Sequence, residues 1–376
     1  VANKIKVGVV FGGRSAEHEV SLVSAASVIN ALDKERYEIV PIGISQEGRW
    51  LSSNDTLRLL KEKVEVGRFP EHVIVPDPSK KGLVSLNPSL TGSAVYRVDV
   101  LFPVLHGTFG EDGTMQGLFE LAGIPYVGSG VLGSAAGMDK VVQKQLMQQS
   151  KIPVASALWF SSSEFEKKQK ELLTHIAKKI GFPCFVKPAN LGSSIGITKV
   201  HTRKELLPAV KIAADYDVKI LVEKAVRSPR EIECGVLGNE DPIASIPGEV
   251  IPSNEFYDYD AKYVDGKSAT IIPAKLPRGV IKKVQQLSIR AFKAIGCEGM
   301  ARVDFLITRN AKTIVVSEVN TIPGFTSISM YPKMWEASGL PYPNLLDRLI
   351  QLALERHASR ERLKTAYSPK SRWYGS

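Results

Sequence analysis

The chain has 376 residues, 44% of them hydrophobic, with a formal net charge of +10 and three cysteines. Its length suits two or three globular domains, and it holds no 18-residue apolar run of the kind that spans a bilayer. The first apolar segment, residues 5–11, is too short for the core of a secretion signal. Cys184, Cys234 and Cys297 are odd in number, far apart and free of any CxxC pair. Neither a disulfide framework nor a zinc site is indicated, and the expected compartment is the cytoplasm. The positive charge is concentrated at the end. Residues 356–376 carry Arg356, Arg360, Arg362, Lys364, Lys370 and Arg372 against Glu361 alone, half of the total. A mobile basic tail over 361–376 therefore explains the balance, and neither nucleic acid nor membrane is an expected partner.

The first 45 residues read as a strand over 5–11, a Gly12-Gly13 turn, a helix over 19–32 and a strand over 38–44. That order begins an open parallel α/β sheet. Glu17 and Glu19 fall at the helix start, where acidic side chains suit the positive end of the dipole. On that ground alone, Glu17 reads as a helix-start charge. Residues 46–98, rich in Pro and Gly with short β runs such as 72–75, read as an insertion without visible chemistry. A strand over 98–105 then runs into His106-Gly-Thr-Phe-Gly-Glu-Asp-Gly113. Such a glycine-rich loop lies at the carboxyl end of a strand, where open α/β sheets bind ligands. A helix follows over 114–122.

Gly128-Ser129-Gly130-Val131-Leu132-Gly133 matches GxGxxG, but only Pro125-Tyr126-Val127 precedes it and no acid follows at the required distance. A dinucleotide site is rejected. No GxxxxGK[ST] occurs either.

The next helix, 139–149, carries Lys140 in its first turn, a place unfavourable for a cation unless it serves an anion. A strand over 154–160 and a helix over 163–180 lead to Cys184-Phe-Val-Lys187-Pro. Then comes Asn190-Leu-Gly192-Ser193-Ser194-Ile-Gly196, ahead of a strand over 197–200. This hairpin loop can close over phosphates through amides and hydroxyls, with Lys187 as a counter-charge, or it can be a plain solvent turn. A helix over 203–214 and a strand over 219–223 complete the unit. Lys224-Ala225-Val226 continues that strand with backbone groups suited to adenine, and Glu231 is placed for ribose hydroxyls. Further strands are expected over 231–237 and 242–246. Residues 247–269 form a long irregular stretch dense in aromatics, a length that marks a functional loop. Helices are expected over 278–295 and from 345 to 355 or beyond.

Two β-branched runs flank Thr308-Arg309-Asn310-Ala311-Lys312, the pattern of a hairpin with a five-residue turn. Alternation places Arg302 and Asp304 on one face, and Glu318 and Asn320 on one face. A turn centred near Asn310 sets Arg302 opposite Glu318, with Asp304 as the diagonal neighbour. Asp304, Glu318 and Asn320 offer oxygen ligands without His or Cys, a set suited to magnesium beside substrate phosphates. A surface hairpin with one salt bridge is the alternative.

Taken together, the motifs resemble the D-alanine–D-alanine ligases of the ATP-grasp superfamily. The resemblance rests on Gly12-Gly13-x-Ser15-Ala16-Glu17-x-Glu19-Val20-Ser21, His106-Gly107 with Gly110-Glu111-Asp112-Gly113-Thr114, and Met138-Asp139-Lys140. It continues through Val186-Lys187-Pro188 with Gly192-Ser193-Ser194-x-Gly196, and Tyr257-Asp258-Tyr259-x-Ala261-Lys262-Tyr263. Arg302-Val303-Asp304 and Glu318-x-Asn320-Thr321-x-Pro323-Gly324-x-Thr326-Ser327 complete the ordered set, which spans about residues 4–355. The basic tail lies outside it.

The resemblance implies an α/β (α+β) fold in three domains: 1–128 with an open parallel sheet, a central ATP-grasp part at 129–227, and a carboxyl-terminal part at 228–360. It implies ATP, magnesium (two ions, with manganese as a substitute), D-alanine as substrate and a homodimer. Lys140, Lys187 and Lys262, with the flap residues Ser193 and Ser194, would hold the ATP phosphates. Glu223, Lys224 and Val226 would meet adenine, and Glu231 the ribose. Asp304, Glu318 and Asn320 would hold metal. Glu17, in a triad with Ser193 and Tyr263 and near His106, would anchor the first D-alanine's ammonium. Arg302 and the Gly324 amide would stabilise the reacting carboxylate, and Ser329 and Met330, with Lys262, would place the second D-alanine. Leu191, His18 and Ala225 depart from common family residues, which bears on affinity. The expected reaction is ATP-dependent joining of two D-alanines through D-alanyl phosphate for peptidoglycan precursor synthesis. The other readings are a D-alanyl-D-lactate (depsipeptide) ligase or another ATP-grasp carboxylate–amine ligase, and a non-catalytic sensor of nucleotide or peptidoglycan precursors.

Overall fold

A computed structural model describes residues 4–63, 71–86, 95–251 and 269–367. Strands β1 (Ile5–Gly12) and β2 (Tyr37–Ile44) run parallel and are joined by helix α1 (His18–Ala31). β3 (Trp50–Leu51) pairs antiparallel with β2, and a short helix α2 (Thr56–Lys61) follows. β4 (His72–Ile74), β5 (Gly82–Ser85) and β6 (Val95–Arg97) form a small antiparallel sheet from the stretch expected to be an insertion. β7 (Val100–Pro103) returns to lie parallel to β1, giving the order β3-β2-β1-β7.

Both faces of β1 are covered, which is why it reads as a continuous apolar run. Val7, Val9 and Phe11 pack on one side against α1 and the last helix. Val10 packs on the other with Ile42, Leu101 and Phe119. Helix α3 (Thr114–Leu121) follows β7. The GxGxxG segment then opens α4 (Val131–Met138), yet no strand precedes it, only an isolated bridge from Tyr126 to Leu101.

Helix α5 (Lys140–Gln149) is capped by Asp139, whose carboxylate accepts from the amides of Val141 and Val142. β8 (Ala157–Ser161) starts later than expected, because Val154 makes only a bridge to Val316. With α6 (Ser162–Lys179), β9 (Cys184–Pro188), β10 (Thr198–Val200), α7 (Leu206–Ala214) and β11 (Lys219–Lys224), it builds an antiparallel sheet of order β10-β9-β11-β8. Alternation along β11 sends Ile220 and Val222 into the core under α6 and α7. Leu221 and Glu223 face the other way, toward α5.

The last sheet holds β12 (Pro229–Gly238), β13 (Ile243–Ala244), β14 (Gly248–Ile251), β15 (Ala269–Ile271), β16 (Gly299–Thr308) and β17 (Ile314–Asn320). Helix α8 (Arg278–Ile295) buries its apolar stripe of Val284, Leu287, Ala291, Phe292 and Ile295 on one face. Residues 247–269 are therefore not irregular throughout, since they begin with β14 and end by opening β15. Tyr257, Asp258, Tyr259, Lys262 and Tyr263 lie outside the described residues.

An unanticipated helix, α9 (Met330–Ala337), follows the hairpin. α10 (Tyr342–Glu361) then crosses back to the first sheet. Its end corrects the reading of the basic tail. Arg356 is buried and donates to the carbonyls of Tyr126 and Gly128, and Arg360 pairs with Glu120 and Glu298. Among the described residues, no helix is long and apolar enough to cross a membrane.

Candidate active site

A cavity of about 770 Å³ lies between the sheet of β8–β11 and that of β12–β17, floored by the loops after β1 and β7. The β16–β17 hairpin forms one wall, and its register differs from expectation. Arg302 pairs with Asn320 and Asp304 with Glu318: the turn is centred between Asn310 and Ala311, which moves the pairing by one residue, and an irregularity between Asp304 and Phe305 moves it by one more. A bulge of this kind re-aims side chains and recurs beside active sites. The two carboxylates are thus direct cross-strand neighbours rather than diagonal ones.

Arg302 is not paired with Glu318 either. Its Nε and Nη2 each donate at 2.7 Å to one oxygen of Asp304, and Nε lies 3.1 Å from Glu233 on β12. Burial opposes the guanidinium charge, but Asp304 and Glu233 outweigh it and hold Arg302 firmly protonated. Asn320 donates through Nδ2 to Asp304 at 3.0 Å, which leaves its amide oxygen as an acceptor. With the Glu318 carboxylate these are hard oxygen donors only, and the set fits a divalent cation such as magnesium.

Across the cavity, Lys140 donates to the Leu191 carbonyl at 2.6 Å and lies 3.9 Å from Glu318. Lys187 on β9 and Lys144 on α5 both reach Glu223, at 3.1 and 3.0 Å. Glu223 is 2% exposed, so both its oxygens are engaged by lysines. Burial alone would raise its pKa; Lys144 and Lys187 more than offset this and lower it. Lys187 is likewise opposed by burial but raised on balance by Glu223 and Glu318. The cluster keeps one positive charge in excess, aimed at the space where phosphates would lie. Lys224, Val226 and Glu231 line the same end.

The flap between β9 and β10 reaches over to Glu17. Ser193 Oγ donates to Glu17 Oε1. Ser193 and Ser194 both hold left-handed backbone, with φ of 49° and 60°, the local strain that marks functional loops. At Gly192 a Cβ would stand 2.6 Å from Glu17 Oε2, so any side chain there would push the Glu17 carboxylate aside. Glu17 precedes α1 but makes no capping bond, so its expected helix-start role is not what the carboxylate does.

Beside it, His106 contacts Ser24 Oγ at 3.3 Å, and burial lowers its pKa, keeping the ring neutral. Glu111 accepts from the amides of Gly107 at 2.6 Å and Ile322 at 3.4 Å. Burial first, then the neighbouring Glu17, push its carboxyl up to about 8. At the far side, Ser329 accepts from the Thr326 amide at 3.0 Å and sits against Gly324, while Met330 begins α9.

Every described residue expected at the site therefore lines this one cavity, and Lys262 and Tyr263 lie outside the described residues. Lys144, Glu233 and Gln143 were not anticipated. Lys144 follows Lys140 by one helical turn and Glu233 shares a strand face with Glu231, so spacing alone pointed to both. Gln143 pins α5 to β17 through both backbone groups of Val319, which no sequence pattern signals.

Two sheets closing over paired lysines, opposite oxygen donors suited to a divalent cation, define an ATP-dependent ligase of the ATP-grasp class. Residues 6–129 match the family described as D-ala D-ala ligase N-terminus, and residues 146–351 match D-ala D-ala ligase C-terminus. A D-alanine–D-alanine ligase of Natranaerobius thermophilus is 48% identical over 97% of this chain and 99% of its own length. The solved D-alanine-D-alanine ligase from Coxiella burnetii superposes with a TM-score of 0.81 at 40% identity, over 96% of this chain and 98% of that one. The VanG D-Ala:D-Ser ligase from Enterococcus faecalis gives 0.82 at 36%, over 93% and 100%. The chain belongs to the D-alanine–D-alanine ligase family, whose members use ATP and a divalent metal and release ADP.

Proposed function

We propose that this chain joins two D-alanine molecules into D-alanyl-D-alanine for peptidoglycan precursor synthesis. The observation that carries the reading is the placement of Glu17 with Ser193 at one end of a cavity whose other walls hold Lys140, Lys187 and the Arg302–Asp304 pair. A free carboxylate is a poor acyl donor. One carboxylate oxygen of the first D-alanine attacks the γ-phosphorus of ATP, and ADP leaves, giving D-alanyl phosphate. The second D-alanine's amine attacks the acyl carbon, loses a proton, and inorganic phosphate departs.

Glu17 receives the first ammonium, with the neutral His106 beside it. Lys140 and Lys187 hold the phosphates under Ser193 and Ser194, and Lys262 joins them. Glu223, Lys224 and Val226 form the adenine end and Glu231 the ribose end. Arg302 and the Gly324 amide face the oxygen that gains charge, where aimed donors stabilise a transition state most. Ser329 and Met330 place the second substrate, and Tyr263 completes the triad with Glu17 and Ser193. Asp304, Glu318 and Asn320 would hold magnesium, as two ions or with manganese in its place, supplying charge neutralisation of the phosphates.

The division into 1–128, 129–227 and 228–360, a homodimer and a cytoplasmic setting belong to the same proposal. Phosphate release from ATP, measured with D-alanine, with L-alanine, and with D-alanine plus D-lactate or D-serine, tests it, the products being identified by mass. D-Alanine alone is expected to support turnover and give the dipeptide. No turnover with D-alanine alone overturns the reading.

A further inference from the structure

A second cavity, about 270 Å³, opens at the carboxyl ends of the three parallel strands β2, β1 and β7. Gly12 ends β1, Ile44 ends β2, and Leu105 follows β7. This is the crevice where open α/β sheets take ligands, and the reaction cavity lies on the other side of the His106 loop. Its inner wall is apolar, built by Ile44, Trp50, Leu105 and Met115.

Its rim carries one charge of each sign. Arg14 lies with its guanidinium 5.1 Å over the Phe109 ring, and its stem runs against Gly48, where a Cβ would come within 2.9 Å of Cδ. Among the described residues Arg14 has no acidic partner. Glu47, on the same rim, is held by the Ser45 hydroxyl at 2.8 Å. Opposite charges on one rim ordinarily pair with each other. Here the aromatic ring holds one and the serine holds the other, so a guanidinium and a carboxylate with unused donor and acceptor capacity border the same mouth.

We propose that this cavity binds a free amino acid with an apolar side chain larger than that of alanine. Its carboxylate meets Arg14, its ammonium meets Glu47, and its side chain enters the pocket of Ile44, Trp50, Leu105 and Met115. A single-charged ligand would leave one rim group facing a partnerless neighbour, whereas a zwitterion satisfies both. The site is separate from the reaction cavity and does not depend on the reading given to that cavity.

Isothermal titration of the whole chain with both enantiomers of phenylalanine tests the proposal, with 3-phenylpropionate and phenethylamine as the acid-only and amine-only probes. One enantiomer of phenylalanine should bind at least tenfold tighter than either single-charged probe, and saturating D-alanine should not displace it. Arg14→Gln and Glu47→Gln should each weaken that binding at least tenfold while D-alanine turnover stays within twofold. Both side chains are exposed, so folding is not at issue, and Met115→Trp, which fills the pocket from inside, should block all three probes. No binding, equal binding of the single-charged probes, or displacement by D-alanine overturns the proposal.

Discussion

Arg302 and Asp304 stand two residues apart on one strand face and are joined by a two-pronged bond, each prong 2.7 Å. The guanidinium therefore fixes the orientation of the Asp304 carboxylate, which under the proposed function would hold the metal. Replacing Arg302 with Met should lower kcat by about 10²–10³, the loss typical of a transition-state donor. Manganese binding, followed by electron paramagnetic resonance with nucleotide present, should weaken only a few-fold. Arg302→Lys keeps the charge but not the fork, and should recover little activity. Loss of metal binding equal to the loss of turnover would reduce Arg302 to a structural partner of Asp304.

Lys144 is removed from the phosphate space but shares Glu223 with Lys187. With Lys144→Met, Glu223 draws on Lys187 alone, and the excess positive charge disappears. The KM for ATP should rise about tenfold, roughly 1.4 kcal/mol, with the KM for D-alanine unchanged. Lys144→Arg should restore much of it. Parallel changes in both constants would point to general loosening of α5.

The raised carboxyl of Glu111 makes stability depend on pH. Unfolded, a glutamate titrates near 4.3; folded, Glu111 titrates at about 8. Between these values the folded chain holds a proton that the unfolded chain has released, so this group's contribution falls as pH rises. Thermal midpoints of Glu111→Gln should decline less than those of the parent between pH 5 and 8, by a few degrees at the upper end. Parallel curves would show that Glu111 titrates normally.

Arg356 ties α10 to the segment between α3 and α4, with its guanidinium 4.2 Å from the Tyr126 ring. Arg356→Met leaves two buried carbonyls without donors and removes the stacked cation, a cost of about 2–4 kcal/mol. Urea denaturation should show it as a lower midpoint with turnover at 25 °C nearly unchanged.

Elements with a clean period were legible in the sequence. Helix α8 spans 278–295 as its apolar stripe predicts, and β1, β2 and β9 fall within a residue or two of expectation. What eluded the sequence depends on contacts distant along the chain. The β16–β17 register turned on the exact centre of the turn and on a bulge that no residue type announces, and together they put Asp304 rather than Arg302 opposite Glu318. Met330–Ala337 begins among Ser and Pro and is helical because Tyr331, Met334 and Trp335 are buried by neighbouring elements. The charge of Arg356 and Arg360 looked like a solvated tail, since their partners Tyr126, Gly128 and Glu120 lie more than 220 residues earlier. Of the cavity, the individual groups were legible, but the sharing of Glu223 between two lysines needed three elements in place.

Helix α10 supplies Leu345, Leu346, Leu349 and Ile350 to the core that Val7, Val9 and Phe11 begin. Among the described residues, the first strand is thus covered on one face by the last helix. Until residues 342–361 have left the exit tunnel, that face of the opening sheet has α1 but lacks the rest of its cover. The core of the amino-terminal third is therefore completed only after the intervening sheets have been synthesised. A stop codon just before α10 would therefore do its damage at the opposite end of the chain.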